Sequence, residues 1–136
     1  MAVQPSVDNL QHVEIGVSGP DGANRMFITT GVATISHYAG SNQTVKENYS
    51  VHVEPALTAS QFRRAIASAA FGQLAFYDYN AAENDGMSWQ IEDVDADFDD
   101  EAGKVELRFT IEITTTGTGN ARVGDVSFTV TTLAKV

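Results

Sequence analysis

The chain of 136 residues has no cysteine, which excludes disulfides, zinc sites built on thiolates and thiol nucleophiles. Its three prolines are Pro5, Pro20 and Pro55, so no proline interrupts a strand or helix after residue 55. No apolar run reaches the ~20 residues that a membrane-spanning helix requires, and residues 1–6 lack the basic and apolar regions of a signal peptide. We therefore expect a soluble protein that is cytoplasmic or part of an assembled particle, with no membrane contact.

Basic residues are also scarce. The chain has 8 Lys and Arg against 18 Asp and Glu, which gives a formal net charge of −10. This balance argues against nucleic acid as a partner, because phosphates attract Lys and Arg. Residues 83–103 contain nine acids and no base. Such a segment is typical of a solvated acidic surface that favours solubility. A bound cation, a basic partner, or an acidic inhibitor that imitates nucleic acid are the alternatives.

The clearest element is a hairpin between residues 92 and 113. Apolar and polar side chains alternate in both runs, which is typical of strands with one buried face, and Gly103 supplies the turn. The register that pairs Asp99 with Lys104 sets these residues opposite each other: Phe98 and Val105, Ala96 and Leu107, Val94 and Phe109, Asp95 and Arg108. The apolar residues of 87–91 alternate in the opposite phase, which predicts a bulge or break near Glu92 and Asp93.

Similar alternation predicts strands at 10–17, 26–35, 49–54, 74–79 and 126–132. In the first of these, Val13, Ile15 and Val17 are expected to face the core. The 26–35 run is apolar on both faces, so we expect it to be covered on both sides. Together these elements predict a single domain over residues 1–136 of mainly β (α+β) class. The expected architecture is an antiparallel β-sandwich or barrel of about seven strands with one helix packed on its side.

That helix is expected at residues 58–72. Thr58 and Gln61 have the spacing of a capping box, and Gly72 is a natural C-terminal stop. The spacing of the apolar residues predicts a stripe that packs against a sheet, made of Phe62, Ala65, Ile66 and Ala69. Arg63 and Arg64 lie on the opposite side, where they are expected to remain in solvent or to meet acidic residues of a neighbouring molecule. They are the interface candidates.

The tripeptide His-Val-Glu occurs twice, at residues 12–14 and 52–54. On a strand the His and Glu of each copy point to the same face. If the two strands were neighbours, His12, Glu14, His52 and Glu54 would form a site for Zn²⁺ or Fe²⁺. Two exposed His/Glu pairs on wet sheet faces are the simpler interpretation.

Asp93, Asp95 and Asp97 resemble the start of an EF-hand loop. The similarity ends at the sixth position, which requires Gly and is Phe98, and at the twelfth, which requires Glu and is Lys104. On a strand the three carboxylates would instead line one face about 7 Å apart. The pattern therefore favours a solvated acidic face, with weak calcium binding as the alternative.

No glycine-rich phosphate loop, nucleophile elbow or catalytic-triad order occurs in the sequence, so we predict no catalytic residue and no cofactor. The leading hypothesis is a non-enzymatic structural or binding domain that acts through self-association or by docking into a larger assembly, as a tube or filament subunit does. Long strand edges with few lysines and prolines favour a homo-oligomer. A small-ligand or metal-binding barrel enzyme that uses the two His/Glu pairs, and the acidic inhibitor, are the alternative functions.

Overall fold

The computed structural model describes residues 2–20, 22–77 and 85–135, and within these ranges the chain is all-β, without a helix. Strands form because apolar and polar side chains alternate along most of the sequence. The eight strands are β1 (Ser6–Gly19), β2 (Gly22–Ala39), β3 (Thr44–Val53), β4 (Phe62–Phe71), β5 (Leu74–Tyr77), β6 (Gly86–Asp99), β7 (Lys104–Thr116) and β8 (Asn120–Lys135).

The strands form two antiparallel sheets that face each other as a β-sandwich. Sheet 1 has the order β1-β2-β8-β4, and β5 pairs with β8 on the same edge as β4. Sheet 2 has the order β3-β7-β6. The described strands form these two open sheets rather than a closed barrel. The core between them is made mainly of side chains from the central strands β7 and β8, including Leu107, Phe109, Ile111, Ile113, Val126 and Val130.

The predicted hairpin is confirmed as β6 and β7. The residues from Asp95 to Asp99 have the partners that the sequence predicts. The register then shifts at Asp93, which has a φ of 53°, so the predicted bulge is confirmed within one continuous strand. The bulge adds a residue to β6, and for this reason the predicted pair of Val94 with Phe109 does not form. Val94 nevertheless packs against the core.

The predicted helix at 58–72 is wrong, because most of this segment forms β4, which pairs with β8. The capping contact does form, since Gln61 Oε1 accepts a hydrogen bond from the Thr58 backbone N at 2.9 Å, but it closes only one turn. In β4 every second residue packs on the core, namely Ala65, Ala67 and Ala69, and Ile66 is 57% exposed instead of buried. Alanines satisfy a helical stripe and a strand equally well, and the hydrogen-bonding edge of β8 selects the strand.

The faces of β1 are reversed relative to the prediction. Val13 and Ile15 are 52% and 44% exposed, whereas His12 stacks on the buried Phe27 with ring centroids 5.8 Å apart. A register shift accompanies Asn9, whose φ is 52°. Alternation shows that a strand has one apolar face and one polar face, but it does not show which of them turns toward the core. For β1 the register with β2 decides which face turns inward.

One face of β2 is covered by sheet 2 and the other is not. Ala33 and Ile35 belong to the core of the sandwich, and Phe27 on the same face is also buried. Met26 and Ile28 lie on the opposite face and are partly exposed. The sequence predicts a cover on both sides, and among the described residues no layer covers this second face.

The two sheets also touch along their edges. β4 of sheet 1 packs beside β6 of sheet 2, where the ring of Phe62 stacks on that of Phe98 with centroids 5.4 Å apart. Near the other edge, Val3 forms two backbone hydrogen bonds of 2.9 Å with Asn48 and Ser50 of β3. These contacts cover part of the edges of sheet 2.

A buried polar pair links the two sheets. His37 of β2 accepts a hydrogen bond at Nδ1 from the Tyr49 hydroxyl (3.1 Å) and donates one from Nε2 to the Val45 carbonyl (2.9 Å). Burial, with a smaller contribution from the charge of Glu47, raises the pKa of Tyr49 to about 12. Both polar groups are satisfied, so this pair is a structural contact.

The strand predicted at 74–79 is confirmed as β5 as far as Tyr77, and residues 78–84 lie outside the described ranges. The described part of the chain contains no helix with the length and apolarity needed to cross a membrane.

Candidate functional sites: an apolar sheet face and a histidine–carboxylate cluster

The outer face of sheet 1, which is turned away from sheet 2, carries an apolar end. Strand register aligns Val13, Ile28 and Ile66 in one row across the sheet. The next row contains Ile15, Met26, Leu133 and Arg64. We call the following six side chains the apolar end, and all of them are partly or largely exposed: Val13, Ile15, Met26, Ile28, Ile66 and Leu133. Contiguous exposed apolar surface of this kind marks interaction sites in soluble proteins.

The other end of the same face is a shallow groove. The side chains there are small, so the surface lies lower than at the apolar end. The groove has a volume of about 470 Å³, and its outward-facing lining includes Thr30, Val32, Ser68, Ala70, Ser127 and Thr129. The size of the side chains therefore decreases along the strands from the apolar end to the groove.

Charge also changes sign along this face. Arg64 lies in the same row as Leu133 of the apolar end, and Lys135 lies in the next row outward. Arg63 is exposed beside them, where the register of β4 is irregular. At the groove end, Asp125 pairs with Thr34 in the strand register, and Asp8 accepts a hydrogen bond from the Thr34 hydroxyl (3.0 Å). The arginines that the sequence singles out thus lie on the rim of the apolar surface, on a strand instead of a helix.

The outer face of sheet 2 is acidic. Its rows place Asp95 opposite Arg108 and Asp97 opposite Glu106, while Asp93 lies in the bulge of β6. Three cations lie among the acids: Lys46, Lys104 and Arg108. Because Asp93 lies in the bulge and Arg108 lies opposite Asp95, the three aspartates do not form a regular ladder of acids.

A histidine and two carboxylates converge on this acidic face. His52 Nε2 lies 2.9 Å from Asp99 Oδ2 and 3.4 Å from Glu106 Oε2. The three side chains are partly buried, with exposed fractions of 24%, 28% and 12%. They face a cleft of about 780 Å³ above sheet 2. The hydrogen bond from His52, helped by the backbone N–H groups of Ala102 and Glu101, holds the pKa of Asp99 below its usual value.

The structure does not bring the two His-Val-Glu tripeptides together. His12 and Glu14 belong to β1 of sheet 1, where His12 contacts Thr29 (3.0 Å) and Glu14 pairs with Arg25 (2.6 Å). His52 and Glu54 belong to the β3 region of sheet 2, and Glu54 pairs with Lys104 (2.7 Å). The four residues therefore do not form one metal site.

Sequence reasoning missed Asp99 and Glu106 as partners of His52. The alternation in 49–54 places His52 on the polar face of its strand, and the predicted hairpin places both acids on the polar face of theirs. The missing information was that β3 pairs with β7, which aligns His52 with Glu106. A pairing between strands about 50 residues apart leaves no local signal.

No protein-family model matches this chain, and no curated protein or solved structure is detectably similar to it.

Proposed function

We propose that this chain is a non-enzymatic structural or binding domain that acts through self-association, in which the outer face of sheet 1 stacks on the same face of a second copy. The apolar end carries this proposal. It extends over four adjacent strands, and it includes the apolar face of β2 that no layer of the described residues covers. Burial of such surface yields about 25 cal/mol per Å².

A second copy fits this face in shape. Consider a twofold axis that lies in the interface and runs perpendicular to the strands. Each strand then lies over the same strand of the second copy, and the two run in opposite directions. The apolar end of one molecule then lies over the shallow groove of the other. Ile66 and its row meet the row of Thr30 and Ser68, so large side chains oppose small ones on both sides of the axis. Sheets packed in this way lie about 10 Å apart.

The charges fit the same arrangement. The antiparallel orientation of the two copies brings Arg64 and Lys135 of one molecule toward Asp125 at the groove end of the other. Parallel stacking would instead oppose the basic ends of both copies. The charge pattern therefore favours the antiparallel stack, although partly exposed ion pairs specify orientation more than they add affinity.

The face is large enough for a stable contact. Four strands ~4.8 Å apart and residues 24–32 of β2 at ~3.3 Å each span roughly 19 Å by 30 Å. A standard interface buries ~800 Å² of accessible surface on each partner. The accessible surface of a pleated face exceeds its projected area, so the two sizes are comparable.

Docking into a longer assembly requires a second interface, because a twofold contact closes on itself. The free edge of β1 is the surface that we propose for it. β2 is the strand partner of β1 within the described residues, and the opposite edge of β1 presents backbone groups for pairing. A tube or filament subunit would use both contacts.

The proposal is tested with Ile66→Lys, measured by sedimentation equilibrium of the full chain. Ile66 is 57% exposed, so the substitution leaves the sandwich intact while it places a charge in the apolar end. We expect the dissociation constant of the dimer to rise at least tenfold. Gln90→Lys is the matched control, because Gln90 is an exposed strand residue on sheet 2, and it should leave the dimer unchanged.

Charge reversal at both Arg63 and Arg64 should also weaken the dimer, and less so at high salt, where the wild-type attraction is itself screened. Equal association of wild type and Ile66→Lys would contradict stacking through the outer face. Because Ile66 lies on β4, at the opposite edge of sheet 1 from β1, that result would assign any remaining association to the β1 edge.

A further inference from the structure

We propose that His52, Asp99 and Glu106 form a binding site for one divalent transition-metal ion, with Zn²⁺ as the representative ion. The site lies on the outer face of sheet 2, on the opposite side of the sandwich from the proposed interface. It is therefore independent of the proposed self-association. Its ligand set is one imidazole nitrogen and two carboxylate oxygens.

The distances fit such an ion. Donors bound to Zn²⁺ at ~2.0–2.2 Å in tetrahedral geometry lie roughly 3.3–3.6 Å from each other. The Nε2 atom of His52 is already 3.4 Å from Glu106 Oε2 and 2.9 Å from Asp99 Oδ2, and all three donor atoms lie within 4.8 Å of one another. Small side-chain movements would bring the three donors to these separations.

Both carboxylates are oriented by contacts outside the cluster. Asp99 uses Oδ1 to accept hydrogen bonds from the backbone N of Glu101 (3.0 Å) and Ala102 (3.4 Å), which leaves Oδ2 directed at His52. Glu106 uses Oε1 to accept from Arg108 Nε, which leaves Oε2 directed at the same nitrogen. Each acid thus has one oxygen fixed by the protein and the other available, an arrangement that orients metal ligands in known sites.

The supporting strands make the site rigid. His52 and Glu106 are partners in the ladder of β3 and β7, and their neighbours Val53 and Val105 are 3% and 1% exposed. Asp99 ends β6 at the tight turn into β7. The three ligands therefore come from three adjacent strands of one sheet rather than from a loop.

The surrounding charge favours a cation. In the absence of metal, the proton on His52 Nε2 lies where the ion would bind, between two carboxylates. Further charged groups surround the cluster on β6, β7, the β6–β7 turn and the residue that follows β3: Glu54, Asp93, Asp95, Asp97, Glu101, Lys104 and Arg108. An imidazole ligand selects transition metals over Ca²⁺ and Mg²⁺, which prefer oxygen donors alone.

The test is competition for Zn²⁺ between the full chain and a chromophoric chelator, after metal has been removed. Wild type should bind one Zn²⁺ per chain, and His52→Gln, Asp99→Asn and Glu106→Gln should each weaken binding at least tenfold. The two amide variants keep a carbonyl oxygen for the Glu101, Ala102 and Arg108 contacts, so they should fold, and circular dichroism verifies this. His12→Gln is the matched control for an exposed histidine and should leave the affinity unchanged.

Cobalt provides a second readout. The visible absorption of bound Co²⁺ reports its coordination number and should show a four- or five-coordinate ion in wild type that is lost in His52→Gln. Binding that His12→Gln weakens as much as His52→Gln does would overturn the proposal. So would several weak zinc ions per chain with no dependence on residue 52.

Discussion

Phe109 lies at the centre of sheet 2 and is 1% exposed, with its ring stacked on that of Tyr49 at a centroid distance of 5.6 Å. We expect Phe109→Ala to lower the free energy of unfolding by about 3–5 kcal/mol, because removal of the ring eliminates apolar contacts and leaves a cavity. Urea unfolding followed by circular dichroism measures this change. Tyr38→Ala is the control, since Tyr38 is 55% exposed and its loss should change stability by less than ~0.5 kcal/mol. Equal effects of the two substitutions would contradict the core position of Phe109.

Tyr49 makes stability depend on pH at the alkaline end. Its pKa is about 12 in the folded chain against an ordinary value of 10.0, because burial disfavours the phenolate. The unfolded chain therefore releases this proton first, and the contribution of Tyr49 is complete below pH 10 and is lost as the pH rises toward 12. Unfolding of wild type and Tyr49→Phe from pH 9 to 12 tests this. The wild type should lose more stability than Tyr49→Phe, and parallel profiles would contradict it.

At the scale of elements, β4 is the segment where the strand and helix interpretations make opposite predictions. In the strand, Ala67 packs on the core and Ile66 is exposed. We expect Ala67→Glu to cost about 1–3 kcal/mol, because it places a charged side chain against apolar neighbours. Ile66→Thr should change stability by less than ~0.5 kcal/mol. Urea unfolding below the association range measures both, and a larger cost for Ile66→Thr would favour the helical stripe.

The sequence predicts local pairing well where alternation and a turn act together. Residues 95–108 form the predicted hairpin in the predicted register because Gly103, with a φ of 66°, fixes the turn and the apolar residues fix the face. The strand predicted at 49–54 is likewise confirmed within β3, where Tyr49, Val51 and Val53 are buried. In these segments a shift of one residue would expose every apolar side chain.

The prediction from sequence fails where the same residues are compatible with more than one structure. The alanines of 65–70 are compatible with a helix, and only the long-range pairing with β8 selects the strand. The bulge near Asn9 affects which face of β1 turns inward, and no turn signal in the sequence indicates this bulge. The histidine–carboxylate cluster depends on the pairing of β3 with β7, and no feature of residues 52, 99 or 106 alone indicates that they meet.

At the scale of the whole molecule, the two outer faces differ in character. The outer face of sheet 2 carries most of the described acids of residues 83–103, and Asp97 there lies opposite the like-charged Glu106. The outer face of sheet 1 instead has an apolar end with a basic rim. Repulsion on the acidic face opposes nonspecific contacts there. We therefore propose that association uses the apolar end of sheet 1.

The acidic face predicts how stability responds to ions. Because dissolved ions screen repulsion between the carboxylates, the melting temperature should rise with NaCl about as much as with CaCl₂ at matched ionic strength. Thermal unfolding in the two salts measures this, with chelator present in the NaCl series to remove transition metals. A large shift at micromolar Ca²⁺ alone would contradict the solvated acidic face and indicate a calcium site.

Self-association is the central claim, and the mass of the full chain in solution tests it most directly. Sedimentation equilibrium of wild type, from micromolar to millimolar chain concentration and at low and high salt, should give a mass that rises from the monomer value of 14.6 kDa to at least twice that value. A mass that stays at the monomer value over the whole range, in both salts, would contradict the account.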